Sequence, residues 1–219
     1  MEGMRAAAFA ILPLISALLL SCSSPAPVAK APEAKKEKGP PPAEYRVKFE
    51  TSKGDFVVEV KRAWAPLGAD RFHELCQDKY FDEARFFRVV RKFVAQFGIN
   101  RDPDVNGLWN MKQPLADDKR VLDNKRGTLS FAKLGPNSRR TQVFINLSDN
   151  KALDAEGFTP FGRIVEGLPV VDELYAKYGE TANRGGGGPD VRMIETQGNA
   201  YLIRLFGSLD YIKHAKIAD

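Results

Sequence analysis

A mostly β protein, built as a closed or nearly closed antiparallel sheet with helices covering its ends, is what the sequence predicts. Two observations lead there. Many short segments show period-two alternation, while only two or three stretches carry helical spacing. The chain has 219 residues, 43% of them hydrophobic and 28% charged, enough for one domain with a real core.

The first 21 residues read as an address. Arg5 precedes an apolar run from Ala6 to Leu20, and small residues close the segment, the layout of a secretory signal. A membrane-spanning anchor is disfavoured, because the run falls short of the roughly 20 residues a bilayer needs and Pro13 interrupts it. Leu19-Leu20-Ser21-Cys22 closely resembles the lipobox of bacterial lipoproteins, which implies cleavage before Cys22 and lipidation of its thiol. A plain secreted protein with an incidental cysteine is the alternative. Acyl chains would hold the protein on the membrane at about 0.8 kcal/mol per buried CH₂. Ser23, rather than Asp, follows the cysteine, which in such lipoproteins leans toward the outer membrane of the cell envelope, with the domain facing the periplasm.

Residues 22–44 are rich in Pro, Ala, Lys and Glu, with the run Pro40-Pro41-Pro42. Such a stretch cannot bury enough apolar surface to fold, so it is expected to be a solvated tether with polyproline character. At about 3.1 Å per residue it would span roughly 60 Å. The folded domain is expected over 45–219.

There, Val47, Phe49 and Thr51 alternate with polar neighbours, Lys53-Gly54 supplies a turn, and Phe56, Val58 and Val60 alternate again, which predicts a hairpin. A helix follows, started by Pro66 and carrying Ala69, Phe72, Leu75 and Cys76 on one face. Cys76 is then a buried small hydrophobe rather than a reactive thiol. Cys22 and Cys76 sit in such different settings that no disulfide framework is expected. Further strands are predicted at 86–90, 94–97, 128–132, 142–146 and 161–165. A second helix is predicted over 170–178, opened by Leu168-Pro169 and closed by Gly179. Gly185 to Gly188 lacks the strand-to-helix setting and following Lys of a phosphate cradle, and reads as backbone slack. Lys and Arg number 33 against 28 Asp and Glu, so the net charge is 33 − 28 = +5. The basic residues are scattered, which does not favour nucleic-acid binding.

Several blocks then occur in fixed order. Arg85 to Gly98 reads RFFRVVRKFVAQFG, Gly127 to Ala132 reads GTLSFA, and Gly135-Pro136-Asn137-Ser138 leads into Thr141-Gln142-Val143-Phe144-Ile145. Leu153-Asp154 and Phe161-Gly162-Arg163-Ile164 complete the set. Together they resemble the cyclophilin family of peptidyl-prolyl cis-trans isomerases over about 45–219. The resemblance implies a closed eight-stranded antiparallel barrel capped by two helices, with the last strand near 211–217, reached through an extra segment around 198–209. It also implies proline-containing polypeptides as partners, with extracytoplasmic protein folding as the setting. A monomer is expected.

Rotation about an X-Pro amide breaks no bond and meets a barrier of about 18–20 kcal/mol from amide resonance. No nucleophile, metal or cofactor is therefore expected. The barrier falls if water is removed from the planar amide and if a donor stabilises the twisted nitrogen. The resemblance places Arg88, Phe93 and Gln96 in the catalytic role, and Arg88 is the donor, with a permanently charged and rigidly forked guanidinium. Val94, Ala132, Lys133, Gln142, Phe144, Leu153 and Phe158 are implied to bind the peptide. Of these, Phe144 and Leu153 form the proline slot with Phe93, Phe158 covers its side, and Gln142 holds the flanking backbone with Gln96. Without the resemblance, each Phe would read as ordinary core packing and Arg88 as a surface salt bridge.

The sequence departs from the pattern at several places. Phe87 stands where many relatives carry His, Phe97-Gly98-Ile99 replaces a common Gly-Gly-Asp, and Lys133 replaces an Asn. Ala152 occupies a frequent Trp position, so weak binding of the cyclic peptide cyclosporin is expected. Phe158 lies near a frequent His position, and neither His73 nor His214 falls in the motif. Two other classes remain open: a cyclophilin-like module that binds proline segments without turnover, and a structural lipoprotein.

Overall fold

The computed structural model describes residues 41–218. The predicted signal, Cys22 and the tether up to residue 40 lie outside the described residues. Strand β1 (Glu44–Thr51) pairs with β2 (Gly54–Lys61) in a hairpin that begins one residue before the expected start of the domain. Alternation does the work here: Val47, Phe49, Phe56, Val58 and Val60 are fully buried, while their neighbours face out. The remaining strands are β3 (Arg88–Val90), β4 (Val94–Phe97), β5 (Thr128–Phe131), β6 (Val143–Asn146), β7 (Pro160–Glu166) and β8 (Ile212–Ala218).

All eight form one antiparallel sheet in the order β3-β4-β6-β5-β7-β2-β1-β8. The eight-stranded antiparallel fold is therefore as expected, but closure is incomplete. Between the outer strands there is an isolated bridge, Arg85 to Tyr211, supported by Phe86 N–H to the Asp210 carbonyl at 2.9 Å and Ile212 N–H to the Ala84 carbonyl at 2.9 Å. With only three residues, β3 is too short to run a full ladder along β8.

Helix α1 (Pro66–Gln77) buries Ala69, Phe72, Leu75 and Cys76 against the sheet. It lacks a side-chain cap of its own at Ala65. Instead Asp118 accepts the N–H groups of Leu67 and Gly68, both at 3.0 Å, and is itself paired with Arg139. Phe72 packs among Phe49, Phe81 and Phe161 at ring separations of 4.7–6.2 Å. Each such ring contributes about 1.5–3 kcal/mol on burial, and Phe72→Ala would cost about 3–5 kcal/mol. Burial also pushes the Cys76 thiol well above its usual range, in line with a packing role.

More helix is present than the two caps expected. Helix α2 (Pro103–Asn110) is capped by Asp102, and α3 (Lys151–Ala155) is a single turn. Helix α4 (Leu168–Asp172) starts at the expected opener, two residues before the predicted 170, and stops six residues before Tyr178, the expected end (178 − 172). A last helix, α5 (Val191–Leu205), occupies much of the extra segment and breaks at Gly198, where φ is +56°. There a Cβ would lie 2.0 Å from the Arg101 carbonyl, which accepts the Asn199 N–H at 2.9 Å. The added helix explains one departure in the motif. Phe87, 1% exposed, packs with Ile99, Ile194 and Leu202 beneath α5, in an apolar setting that suits Phe better than a titratable ring.

Candidate active site

Strand register builds the site. Val89, Ala95, Ile145 and Leu129 pair across β3, β4, β6 and β5, and all four belong to the main core. The next row, Arg88, Gln96, Phe144 and Ser130, pairs the same way and so projects from the opposite face. One alternation of the pleat thus separates core from site.

Along that row the polar groups are joined end to end. Arg88, 7% exposed, donates Nε–H and Nη2–H to the two carboxylate oxygens of Glu180 at 2.6 and 2.7 Å, and Nη1–H to Gln96 Oε1 at 3.1 Å. Gln96 Nε2 donates to Gln142 Oε1 at 2.9 Å, and Gln142 Nε2 reaches Glu195 Oε1 at 3.4 Å. Both glutamine amides therefore point the same way, carbonyl toward the arginine and NH₂ toward Glu195. Burial alone would push the Glu180 carboxyl up, but the hydrogen bonds and charge of Arg88, with the Thr181 N–H, bring it below the usual carboxylate range. Burial raises the Glu195 carboxyl, and its Gln142 hydrogen bond and the charge of Arg140 only partly oppose this.

Beside this row lies an apolar cluster of Val94, Phe144 and Leu153, with Phe93, Ala132 and Phe158 packed against it. Phe158 meets Phe144 edge to face at 5.5 Å, and the Arg88 guanidinium carbon stands 5.4 Å from the Phe93 ring centre. Phe93 is held through its carbonyl, which accepts from Leu147 N–H at 2.8 Å and Asn150 Nδ2 at 2.9 Å. Leu153 comes from α3, and Ala152 next to it is exposed. A cavity of about 620 Å³ opens beside the cluster, bordered by Arg88, Gln96, Ala132, Lys133, Gln142 and Glu195 among others.

The structure brings all ten residues singled out in the sequence into one region, with a different arrangement at Lys133. Its ammonium is paired with Asp117 at 3.1 Å and lies 5.5 Å from the Phe158 ring centre, bracing that ring. His73 is buried in α1 against Tyr45, and His214 pairs with Asp82 on β8, both apart from the row. Sequence reasoning missed Glu180 and Glu195. It also misjudged Gly185 to Gly188, which is not slack. Gly188 N–H binds the Glu180 carbonyl at 2.8 Å, and a Cβ on Gly186 would sit 2.1 Å from that same oxygen. The only signal available was a Glu shortly before a glycine run, which has no periodicity to betray it.

A curled antiparallel half-barrel that presents a buried, ion-paired arginine beside an aromatic hollow defines a cyclophilin-fold protein with a peptide-sized face. The family model described as cyclophilin type peptidyl-prolyl cis-trans isomerase/CLD matches residues 46–197. The chain belongs to that family, and its activity is peptidyl-prolyl cis-trans isomerisation. It is 34% identical over 141 residues to peptidyl-prolyl cis-trans isomerase CYP18-2 of Arabidopsis thaliana, covering 62% of this chain and 82% of that one. It is 30% identical over 143 residues to a peptidyl-prolyl cis-trans isomerase of Acinetobacter baylyi, covering 60% and 72%. In fold it is similar to the crystal structure of a Cryptosporidium parvum cyclophilin type isomerase, with a TM-score of 0.56, 20% identity, and coverage of 80% and 98%. That protein has also been crystallised in the presence of the dipeptide Ala-Pro.

Proposed function

We propose that the chain accelerates X-Pro rotation in extracytoplasmic polypeptides, with Arg88 as the group that lowers the barrier. The observation that carries this reading is the buried guanidinium fixed at the lip of the Phe93, Phe144 and Leu153 hollow. A guanidinium has five N–H groups; three are engaged, so 5 − 3 = 2 remain for a peptide. The apolar cluster takes the proline ring and strips water from the amide, removing solvent that favours the planar, polar form. Val94 and Ala132 line this contact, Phe158 closes its side, and Gln96 and Gln142 keep a donor and an acceptor each for the flanking backbone. As resonance is lost the nitrogen lone pair develops, and Arg88 donates to it. One charge-assisted bond of about 1.5–3 kcal/mol corresponds to about one to two decades of rate. Desolvation and binding supply the rest.

The extracytoplasmic setting draws support from the signal-like segment and the lipobox ending at Cys22. In this reading the protein works as a monomer, tethered by lipid on Cys22 to a bacterial envelope membrane, the outer one by preference, and meets clients in the periplasm. The test is a proline-isomerisation assay on the full chain in detergent, with Arg88→Ala beside it. Activity in the parent and its loss in the variant are expected. Full activity in Arg88→Ala removes the mechanism, and an inactive parent points to a proline-binding module instead. Mass measurement of the mature N-terminus checks the lipid.

A further inference from the structure

Glu180 lies outside every block that carries the family resemblance, yet it holds the guanidinium more tightly than any other side chain. It binds the Nε and Nη2 edge of Arg88 with both carboxylate oxygens at 2.6 and 2.7 Å, while Gln96 takes Nη1 from another direction. Contacts from two directions fix both the position and the plane of a group on a long, otherwise mobile stem. Such a pair, with the arginine buried and the carboxylate partly exposed, is a poor route to stability, because desolvation and solvent screening offset the attraction. A positional role accounts for it better.

The carboxylate is itself seated. Oε1 also accepts the Thr181 N–H at 2.8 Å and the Thr181 hydroxyl at 3.2 Å. Behind it, the Glu180 carbonyl accepts the Gly188 N–H at 2.8 Å, Thr181 and Gly188 form a parallel bridge, and the Thr181 carbonyl accepts the Gly186 N–H at 3.0 Å. Cβ atoms at Gly186 and Gly188 would stand 2.1 and 2.7 Å from the Glu180 carbonyl oxygen. Only glycine lets the loop approach so closely.

We infer that Glu180, seated by the Gly185 to Gly188 loop, is a positioning residue for the isomerase reaction, aiming the Arg88 guanidinium so that its two unused N–H groups meet the prolyl amide. This rests on Arg88 as the barrier-lowering donor. Its effect therefore falls on the transition state more than on peptide binding.

The experiment compares the full chain with Glu180→Gln, Glu180→Asp, Gly186→Ala and Arg88→Ala, using a proline-containing tetrapeptide whose trans form alone a coupled protease cleaves. Glu180→Gln turns an NH₂ toward one guanidinium N–H, and Glu180→Asp keeps the charge but withdraws it by one methylene. In both, kcat and kcat/KM are expected to fall about 10- to 100-fold with KM little changed, the mark of an interaction realised in the transition state. Gly186→Ala, which displaces the Glu180 backbone, should show the same split. In the parent, kcat/KM is expected to fall in acid as Glu180 protonates, below the usual carboxylate range, and Glu180→Gln is expected to lack that limb. The Arg88 Nε–H NMR signal should shift in each Glu180 variant that melts like the parent. Parental or higher kcat/KM in Glu180→Gln overturns the inference, and so does parental activity in Glu180→Asp, which would leave charge alone as the requirement. If Arg88→Ala keeps full activity, both this role and the Arg88 mechanism fall. If Arg88→Ala is impaired and Glu180→Gln is not, only the role of Glu180 falls.

Discussion

Arg88→Lys separates charge from shape at the site. Lysine keeps a cation for Glu180, so the variant avoids leaving that part-buried carboxylate without a charged partner. It loses the planar fork. The guanidinium now makes three hydrogen bonds, two to Glu180 and one to Gln96, and keeps two N–H groups in hand. An ammonium drawn to the Glu180 carboxylate has three donors on a point, and cannot hold both Glu180 and Gln96 while still facing a peptide nitrogen. The expected loss is one charge-assisted hydrogen bond in the transition state, about 1.5–3 kcal/mol, or about 10- to 150-fold in kcat/KM. Protease-coupled kinetics gives the rate, and exchange NMR on an X-Pro peptide gives a second reading without the protease. Parental kcat/KM in Arg88→Lys would refute the reasoning, because charge alone would then suffice.

Three further outcomes are expected. Phe144→Ala empties the middle of the apolar cluster, so stability should fall by about 3–5 kcal/mol and KM should rise with it, as urea unfolding and initial rates would show. Gly98→Ala is strained twice: φ is +101° there, and the Cβ would meet the Thr141 carbonyl at 2.4 Å. It should cost roughly 3 kcal/mol or more and disturb neighbouring Gln142; a midpoint equal to the parent's would show that the loop yields freely. Glu195→Gln tests a sign. Burial raises the folded carboxyl above its unfolded value of about 4.3, so its contribution to stability is complete below that pH and is lost as pH rises through the folded value. The variant should therefore unfold at higher urea than the parent at pH 7, by less than about 1 kcal/mol for a partly buried group, with the gap closing in acid.

Local pattern carried much of the fold. The β1–β2 hairpin and α1 are legible because alternation and 3.6-residue spacing record directly which face is buried, and Pro66 marks a start. The row Arg88, Gln96 and Phe144 was legible only through motif order, since nothing in the residues alone says that positions 88, 96 and 144 become neighbours. Helix α2 escaped notice because it is short and buries only Asn106 and Trp109. Helix α5 escaped notice because Gly198 breaks its spacing in the middle.

The amino-acid order alone fixed an antiparallel β domain and the core faces of the first hairpin and α1, because periodicity is a local property, while the residues suited to twisting a prolyl amide came from the order of the motifs. Tertiary structure decided that Glu180 clamps Arg88, that a glycine run is a seat rather than slack, that Phe87 lies under α5, and that the sheet stops short of full closure. Those facts depend on which distant segments meet. Arg88 and Glu180, 92 positions apart in the chain, meet because strands pair in an order far from that of the chain.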